Sequence, residues 1–323
     1  MLRKVLVLGG TGFVGRHVCE KLARQGLGLT VPTRRRRHAG SLATLPSLDL
    51  IEADIHDPAQ LSALLTGHDA VVNLVAILQG NEAAFERTHV RLPEKLAHAC
   101  ERAGVRRVVH VSALGADGEQ ADSLPSMYLR SKSRGERVLH QADLALSLIR
   151  PSVIFGAEDR FLNTFADLQR IAPFIPLAGA QARLQPVWVE DVASAVTACL
   201  IGPYARASVG QIYEACGPDV YTLAELVRLA GRIGGVAQGR GRPVLALSPA
   251  LAGLQARLME LMPGEPLLSR DNLQSLTVPN VATGQHSGLQ ALGITPASVQ
   301  AIAPSYLGHR GWRSNLMARR QAH

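Results

Sequence analysis

The stretch "KVLVLGGTGFVGRHVCEKL", residues 4–22, decides the fold. Apolar and β-branched residues, typical of a buried strand, run directly into glycines at positions 10, 12 and 15, and an amphipathic helical pattern follows. Glycines at this spacing allow a tight turn and a close approach to a pyrophosphate, which the free N–H groups of the helix N-terminus then bind. We therefore predict a dinucleotide-binding loop, and the alternative is a glycine-rich structural turn without a ligand. Its residues would be Gly9, Gly10, Thr11, Gly12, Phe13, Val14 and Gly15.

The same alternation continues along the first half of the chain. Strands are predicted at 4–10, 29–34, 48–54, 69–77, 106–114 and 144–156, and helices at 12–26, 58–67, 85–104 (interrupted at Pro93) and 126–141. This order predicts an α/β fold, a Rossmann-type doubly wound parallel sheet. We expect one domain over 1–156, to which 186–200 returns, and a smaller C-terminal α+β lobe over 157–323 with a basic tail.

The residues after the second strand indicate which nucleotide binds. Proteins that bind NAD place an acidic residue about 20 positions after the glycines, where it meets the ribose 2′-hydroxyl. Here that position falls in Thr33 and the run Arg34–Arg37, and the next carboxylates are Asp49 and Glu52. Guanidinium groups match a 2′-phosphate. We therefore predict NADP or NADPH, with Arg34 and Arg35 closest and NAD disfavoured; the alternative is a solvated basic loop.

Further cofactor contacts are expected where other strands end. Asp54 and Ile55 would meet the adenine, and Leu74, Val75 and Ala76 would pass the adenosine ribose while also packing in the sheet. In the second half of the sixth predicted strand, Pro151, Ser152 and Val153 complete the predicted set.

Tyr128 and Lys132 stand four positions apart in a predicted helix and so share one face. At about 4 Å and an effective dielectric of about 20, the ammonium would favour the phenolate by roughly 4 kcal/mol. This corresponds to at most about three pKa units, so the phenol could act as an acid or base near neutrality. Lys132 could also bind the nicotinamide ribose.

Composition bounds the partners and the compartment. The formal net charge is +8 and the pI is about 9.8, which suits phosphates, nucleic acid or an anionic membrane surface; the alternative is a basic surface without a ligand. No motif for nucleic-acid binding occurs in the sequence, so no nucleic-acid partner is expected. Four widely spaced cysteines without CxxC indicate a reducing compartment, and we find neither a metal-ligand motif nor an apolar run of membrane-spanning length. We expect a cytoplasmic protein, peripheral at the inner face of the membrane in the association hypothesis below.

The motifs GGTGFVG, YLRSK, IRPSVIFG and PVWVEDV resemble the short-chain dehydrogenase/reductase superfamily in its extended or atypical branch, the NAD-dependent epimerase/dehydratase family. The longer stretches FERTHVRLPEKLAHACERAGVRRVVHVSAL and RPSVIFGAEDRFLN resemble more narrowly the nucleotide-binding accessory subunit of respiratory complex I and its bacterial relatives. That resemblance covers most of residues 1–200.

The resemblance implies site roles at matching positions. The catalytic Tyr and Lys fall on Tyr128 and Lys132, and Ser112 is the candidate for the third, hydroxyl-bearing member, which also meets the cofactor. Active extended members usually carry that hydroxyl near Leu114, and often an Asn in the helix where His89 stands. The relative in complex I is thought to hold NADPH without turnover.

Two functions remain open at this point. In one, the protein holds NADPH and docks on a respiratory or quinone-linked membrane complex, using the apolar face of 251–262 and the aromatic and basic residues of the C-terminal tail. The alternative for these segments is ordinary core packing of the helix and a disordered basic tail. In the other, it reduces, epimerises or dehydrates a small substrate with NADP(H), using Tyr128, Lys132 and Ser112, with 155–160 bordering the pocket. The sequence specifies neither the substrate nor the oligomeric state.

Overall fold

The computed structural model describes residues 2–36, 40–260 and 268–307. The chain divides into two compact units. Unit one comprises Met1–Pro151, Val189–Ala215 and Ala282–Thr295, and unit two comprises Ser152–Trp188, Cys216–Val281 and Pro296–His323. Compared with the two predicted domains, unit one ends its first segment at 151 and also includes 201–215 and 282–295.

Unit one is built on an eight-stranded sheet in the order β14-β11-β6-β5-β4-β1-β2-β3. Every neighbouring pair is parallel. The central order 3-2-1-4-5-6 is that of a dinucleotide-binding sheet, which confirms the predicted fold class. The strands are β1 Lys4–Leu8, β2 Gly28–Thr33, β3 Leu48–Glu52, β4 Ala70–Asn73, β5 Arg107–Val111, β6 Ala145–Pro151, β11 Ile212–Ala215 and β14 Ser287–Gly288.

Helices cover both faces of this sheet, because its strands are apolar on both sides. On one face, leucines from α2, α4 and α5 pack against Leu6, Leu8 and Val71. On the other, α1 packs against α7, and Glu190 at the start of α7 accepts hydrogen bonds from His17 and Lys21 of α1. The helices of unit one are α1 Phe13–Arg24, α2 Pro58–Leu65, α3 Glu82–Phe85, α4 Leu92–Ala103, α5 Met127–Gln141 and α7 Val189–Leu200.

Unit two is a smaller α+β body with three two-stranded pairings around its own core. Its centre is formed by α6 and α8, whose leucines and alanines pack together with Phe155 and Val299. The helices are α6 Leu162–Ile171, α8 Leu223–Ile233, α9 Pro249–Glu260, α10 Arg270–Ser275, α11 Val299–Ile302 and α12 Pro304–Leu307. The strands are β7 Ile154–Phe155, β8 Ile175–Leu177, β9 Arg183–Leu184, β10 Val187–Trp188, β12 Tyr221–Thr222 and β13 Val244–Ala246.

Several predicted boundaries are wrong in a consistent way, because strands end earlier than their apolar runs. β4 ends at Asn73, β5 at Val111 and β6 at Pro151, so the residues that follow are loop. The sequence also did not predict β11 and β14, which are short and extend the sheet beyond β6.

The predicted interruption at Pro93 takes a different form. Residues Glu86–Arg91 form a π-helix between α3 and α4, and the helix continues through Pro93. Pro93 lacks the N–H that would bond the His89 carbonyl in a regular helix. That carbonyl lies against α5 instead, where a Cβ on Gly135 would be only 1.9 Å from its oxygen. Pro93 and Gly135 together bring the His89 segment close to the helix that carries Tyr128.

No helix among the described residues combines the length and apolar character needed to cross a membrane.

Candidate functional site

The glycine-rich loop between β1 and α1 has the close packing that a dinucleotide loop requires. Gly9 adopts φ +81°, which favours glycine. A Cβ on Gly15 would lie 2.3 Å from the Gly9 carbonyl oxygen, so α1 can approach the turn only without a side chain there. A Cβ on Gly10 would lie 2.8 Å from Val31 on the neighbouring strand. The side of the loop that faces α1 and β2 is therefore filled, and a ligand would meet the loop backbone on its opposite side.

The N-terminus of α1 is suited to an anion. Gly12 is the N-cap and offers no side chain to the first N–H groups, and the first turn has no acidic residue. The N-terminal end of a 12-residue helix carries a partial positive charge. These residues fit the pyrophosphate of a nicotinamide dinucleotide, and they would hold it through backbone N–H groups.

Arg34 and Arg35 follow directly after β2 and are exposed. The buried Thr33 side chain fixes the turn, since its hydroxyl donates to the Arg35 carbonyl at 3.1 Å and accepts from the Arg35 N–H at 3.4 Å. Arg36 is exposed as well, and Arg37 lies outside the described residues. Both predicted arginines therefore stand at the carboxyl end of the strand next to the glycine loop.

A set of basic groups near Arg34 was missed by sequence reasoning. His56, after β3, has its carbonyl bound by the Lys95 ammonium at 2.6 Å. Burial is the main cause that lowers the pKa of His56, and Arg87, Lys95 and Arg34 add to it, against Asp54. Three cations therefore act on His56, after the end of β3, against the carboxylate of Asp54. The sequence does not show this cluster, because the three cations come from separate parts of the chain.

The predicted adenosine contacts lie at the same sheet edge. Asp54 is exposed, and its Oδ1 accepts from the His56 N–H at 2.9 Å, whereas Ile55 packs on the core. Leu74 and Val75 follow β4, and a Cβ on Gly9 would lie 3.1–3.2 Å from their backbone. Ala76 is exposed in the same segment. The structure thus brings the β4 loop directly against the glycine-rich turn.

Lys132 is fully enclosed on α5, at 2% exposure. Its ammonium donates to the Val111 carbonyl at the end of β5, at 2.9 Å. Burial lowers the pKa of Lys132 to about 8, although Glu136 acts in the opposite direction. The amine is thus held at the end of the strand, where a ribose hydroxyl would accept from it.

Tyr128 does not show the lowered pKa that the sequence suggested. Burial raises the pKa of the phenol to about 12. The ring lies edge-on to His89, with centroids 5.7 Å apart, and 6.3 Å from Phe85. Desolvation therefore outweighs the benefit expected from the lysine one turn away.

His89 lies beside Tyr128, although the sequence did not assign it to the site. Its Nε2 accepts from the Ile77 N–H at 3.1 Å, so Nδ1 carries the proton and donates to the Ser131 hydroxyl at 2.8 Å. The Ser131 hydroxyl donates to the Tyr128 carbonyl at 2.9 Å. Burial, with a smaller contribution from Lys132, lowers the pKa of His89 to about 2. A neutral imidazole thus connects the loop after β4 to the Tyr128 turn.

Ser112 lies just past β5 and is 5% exposed. Its N–H donates to the Ile149 carbonyl at 2.8 Å, but its buried Oγ has no hydrogen-bond partner among the described residues. Beside it on the sheet, Asn73 bonds His110 Nδ1 at 3.1 Å, and burial, Lys132 and His89 lower the His110 pKa well below its usual value. An unpaired buried hydroxyl is costly, and a ligand that bonds the Ser112 hydroxyl would remove that cost.

The remaining predicted residues divide between the units. Pro151 ends β6 in unit one. In unit two, the Ser152 hydroxyl and the Val153 N–H both bond Asn280 Oδ1, at 2.6 and 3.1 Å. Asp159 accepts from the backbone of three residues and from the Tyr306 hydroxyl, so its carboxylate is engaged inside unit two.

Comparison with known proteins agrees with this geometry. Residues 9–201 match the family model described as NAD(P)H-binding. The chain belongs to this NAD(P)H-binding family. The matched residues contain the glycine-rich loop, the end of β2, and the Tyr128–Lys132 pair.

Two curated relatives of this NAD(P)H-binding chain have informative names. It is 31% identical over 315 residues to "NADH dehydrogenase [ubiquinone] 1 alpha subcomplex subunit 9, mitochondrial" of Mus musculus, covering 95% of this chain and 80% of the relative. It is 28% identical over 234 residues to "Ceramide reductase" of Caulobacter vibrioides, covering 72% and 70%. The resemblance to the complex I accessory subunit is confirmed.

A solved structure supports the fold. The NADPH-dependent quinone oxidoreductase QOR2 of Escherichia coli, complexed with NADPH, superposes with a TM-score of 0.73 over 94% of this chain and 99% of that one. At 18% identity this likeness shows the fold alone.

Proposed function

We propose that the protein holds NADP(H) as a bound, non-exchanging nucleotide. The observation that carries the cofactor choice is the carboxyl end of β2, where Arg34 and Arg35 are exposed and residues 33–36 contain no carboxylate. Lys95 and Arg87 add positive charge near His56 at the next strand end. A 2′-phosphate is stabilised by such a field, whereas a 2′-hydroxyl gains nothing from it.

The proposal that the nucleotide is held, not consumed, is supported by the chemistry around Tyr128. The phenol pKa of about 12 makes Tyr128 a poor base near neutrality, and Leu114 and His89 stand where active extended members carry a hydroxyl and an asparagine. Similarity to a subunit of mitochondrial NADH dehydrogenase supports a place on a respiratory or quinone-linked membrane complex. In this proposal the protein is cytoplasmic and peripheral at the inner face of the membrane.

The test is to purify the protein without added nucleotide, denature it, and identify and count the released nucleotide. Near-stoichiometric NADP(H) supports the proposal. Predominant NAD(H) would refute the role of Arg34 and Arg35, and an empty protein that exchanges NADPH freely would refute permanent holding. For substitutions of Arg34 or Arg35, the matched control is Arg102→Ala, which removes an exposed arginine on α4 and leaves the end of β2 unchanged.

A second candidate function is an active NADP(H)-dependent reductase, with epimerase or dehydratase chemistry as its variants. The unpartnered, buried Ser112 Oγ favours it, as does similarity to a ceramide reductase. The nicotinamide would supply a hydride. Tyr128 would donate a proton to the substrate oxygen, Lys132 would bind the ribose, and Ser112 would orient the substrate oxygen.

Tyr128→Phe separates the two functions, because it removes the hydroxyl and keeps the ring that packs on His89 and Phe85. Loss of turnover with the nucleotide retained would establish the enzyme. A variant that retains the nucleotide and also supports wild-type respiration in cells would support the holding function. Tyr204→Phe, an exposed tyrosine elsewhere in unit one, is the control.

A further inference from the structure

Helix α9 of unit two buries its smaller apolar side chains and exposes its larger ones, the reverse of an ordinary surface helix. It buries Ala252 and Ala256, and leaves Leu251, Leu254 and Leu258 more than half exposed, at 54%, 54% and 58%. Positions i, i+3 and i+7 share one face of a helix, so the three leucines form a continuous apolar stripe. An isolated surface helix normally has the reverse arrangement, because burying leucine gains more than burying alanine.

The apolar stripe continues onto the neighbouring strand pair. Leu245 of β13 lies beside Pro176 of β8 in the parallel register, and both are exposed. The Gln255 amide of α9 donates to the Pro176 carbonyl at 3.3 Å, which joins helix to strand. An apolar groove of about 380 Å³ is lined by Pro176, Leu247, Leu251, Leu254, Gln255, Leu258 and Met259. We call Pro176, Leu245, Leu247, Leu251, Leu254 and Leu258 the α9 face.

The charged residues on and near α9 in sequence are mainly arginines, and Glu260, the last residue of α9, is paired with Arg270. Between Glu225 and Glu260 the chain contains five arginines and no carboxylate. They are Arg228, Arg232, Arg240, Arg242 and Arg257, and all but the partly exposed Arg242 are exposed. Arg257 lies on α9 itself, and Arg240 lies in the loop that leads into β13. Exposed leucines accompanied by arginines are the composition of a surface that enters the headgroup region of an anionic bilayer.

We propose that the α9 face binds the surface of an anionic lipid bilayer, with the leucines at the acyl boundary and the arginines on lipid phosphates. A purely hydrophobic protein partner would not require this excess of arginines. A second copy of this chain would bring Arg257 of its own α9 against the same surface, which disfavours self-association through it. The inference adds a membrane contact to the proposed function and does not depend on the nucleotide.

The experiment is flotation of the full chain with vesicles of phosphatidylcholine alone, or of phosphatidylcholine with about one third phosphatidylglycerol. We expect binding to the anionic vesicles that weakens with added salt. Replacing one half-exposed leucine by serine should weaken partitioning about fivefold, which is about 1 kcal/mol at 1.4 kcal/mol per tenfold. The triple variant Leu251→Ser, Leu254→Ser, Leu258→Ser should therefore lose about 100-fold.

Two further variants make the result specific. Ile51→Ser, Val209→Ser, Val220→Ser removes three exposed apolar residues outside the α9 face and should change binding less than twofold. Arg240→Gln with Arg257→Gln should weaken binding to anionic vesicles about 25-fold, at roughly 1 kcal/mol per basic residue. All variants keep residues 308–323, which lie outside the described residues, so any contribution of the four arginines there is the same in each variant.

Two control measurements distinguish loss of membrane binding from loss of folding or of the nucleotide. Nucleotide content and the thermal transition of each variant report on folding and on the proposed function, so loss of vesicle binding with both unchanged supports the α9 face. Three results would overturn the proposal: no flotation of the wild type with anionic vesicles at low salt, equal flotation of wild type and leucine triple variant, or a wild-type dimer in solution that the leucine triple variant abolishes. In the last case the α9 face would be a contact between copies.

Discussion

Replacing Lys132 by methionine is expected to stabilise the cofactor-free protein while weakening its hold on the nucleotide. The ammonium is enclosed, and burial lowers the Lys132 pKa from 10.5 to about 8. At about 1.36 kcal/mol per unit, keeping this amine charged costs the folded state roughly 3 kcal/mol. Methionine fills similar space without a charge, but it leaves the Val111 carbonyl without its donor, at a cost of about 1 kcal/mol. The net gain at pH 7 is then about 2 kcal/mol.

The pH dependence of the stability difference between Lys132→Met and the wild type shows whether the buried charge causes it. Lys132 is a base with a lowered folded-state pKa, so between about pH 8 and 10.5 the unfolded chain binds more protons than the folded one. The penalty is complete below about pH 8, and it disappears as the pH rises through that window. The free energy of unfolding of the wild type therefore rises relative to that of the variant as the pH increases. Near pH 10.5 the variant should be about 1 kcal/mol less stable.

Urea unfolding of nucleotide-free wild type and Lys132→Met at several pH values measures this difference. Lys95→Met is the matched control. The Lys95 ammonium also donates to a backbone carbonyl, but the side chain is only partly buried, so its loss should destabilise slightly at every pH. If Lys132→Met gains nothing at pH 7, or gains the same amount at pH 7 and 10, the buried-charge explanation is wrong.

Three further substitutions test particular contacts. Gly15→Ala places a Cβ 2.3 Å from a loop carbonyl oxygen, so the purified protein should contain less than a tenth of the wild-type nucleotide. Arg34→Glu should weaken NADPH binding about 100-fold in calorimetry, through loss of a charged pair and a new repulsion, and change NADH binding by less than threefold. Gly135→Ala places a Cβ 1.9 Å from the His89 carbonyl oxygen and should lower the free energy of unfolding by about 3 kcal/mol. Gly253→Ala, in open space on α9, should instead raise it by up to about 1 kcal/mol.

The strand–turn–helix form of the glycine-rich loop could be predicted from sequence because its determinants are mostly local. Strand, turn and helix start fall within residues 4–24, and the glycines pack against neighbours in that segment, on β2 or in the loop after β4. The π-helical segment was not readable, since it depends on a close approach between His89 and Gly135, which are 46 positions apart in sequence. Pro93 predicted an interruption of the helix, but the packing of this segment against α5 determines that the interruption is a π-helix.

Electrostatics was the least predictable property. The spacing of Tyr128 and Lys132 predicts a lowered phenol pKa, because it gives the charge partner and omits the burial. In the structure desolvation dominates at both residues, raising one pKa and lowering the other. The basic groups at His56 were missed for a different reason, since Arg34, Arg87 and Lys95 come from separate parts of the chain.

These magnitudes decide what chemistry Tyr128 could perform. To act as a base near pH 7, the phenol would need its pKa lowered from about 12 by about five units, or roughly 7 kcal/mol. One lysine at about 4 Å supplies roughly 4 kcal/mol, which is not enough. As an acid the phenol needs no such help, because it stays protonated across the physiological range and can still protonate an alkoxide.

Any turnover should therefore run in the reductive direction. With a carbonyl substrate and NADPH, the rate should be independent of Tyr128 ionisation between about pH 6 and 9, while oxidation of the matching alcohol at pH 7 should be slower by orders of magnitude. Comparable rates in both directions at pH 7 would mean that bound nucleotide and substrate lower the phenol pKa far more than Lys132 can. In that case the holding function would lose its main chemical support.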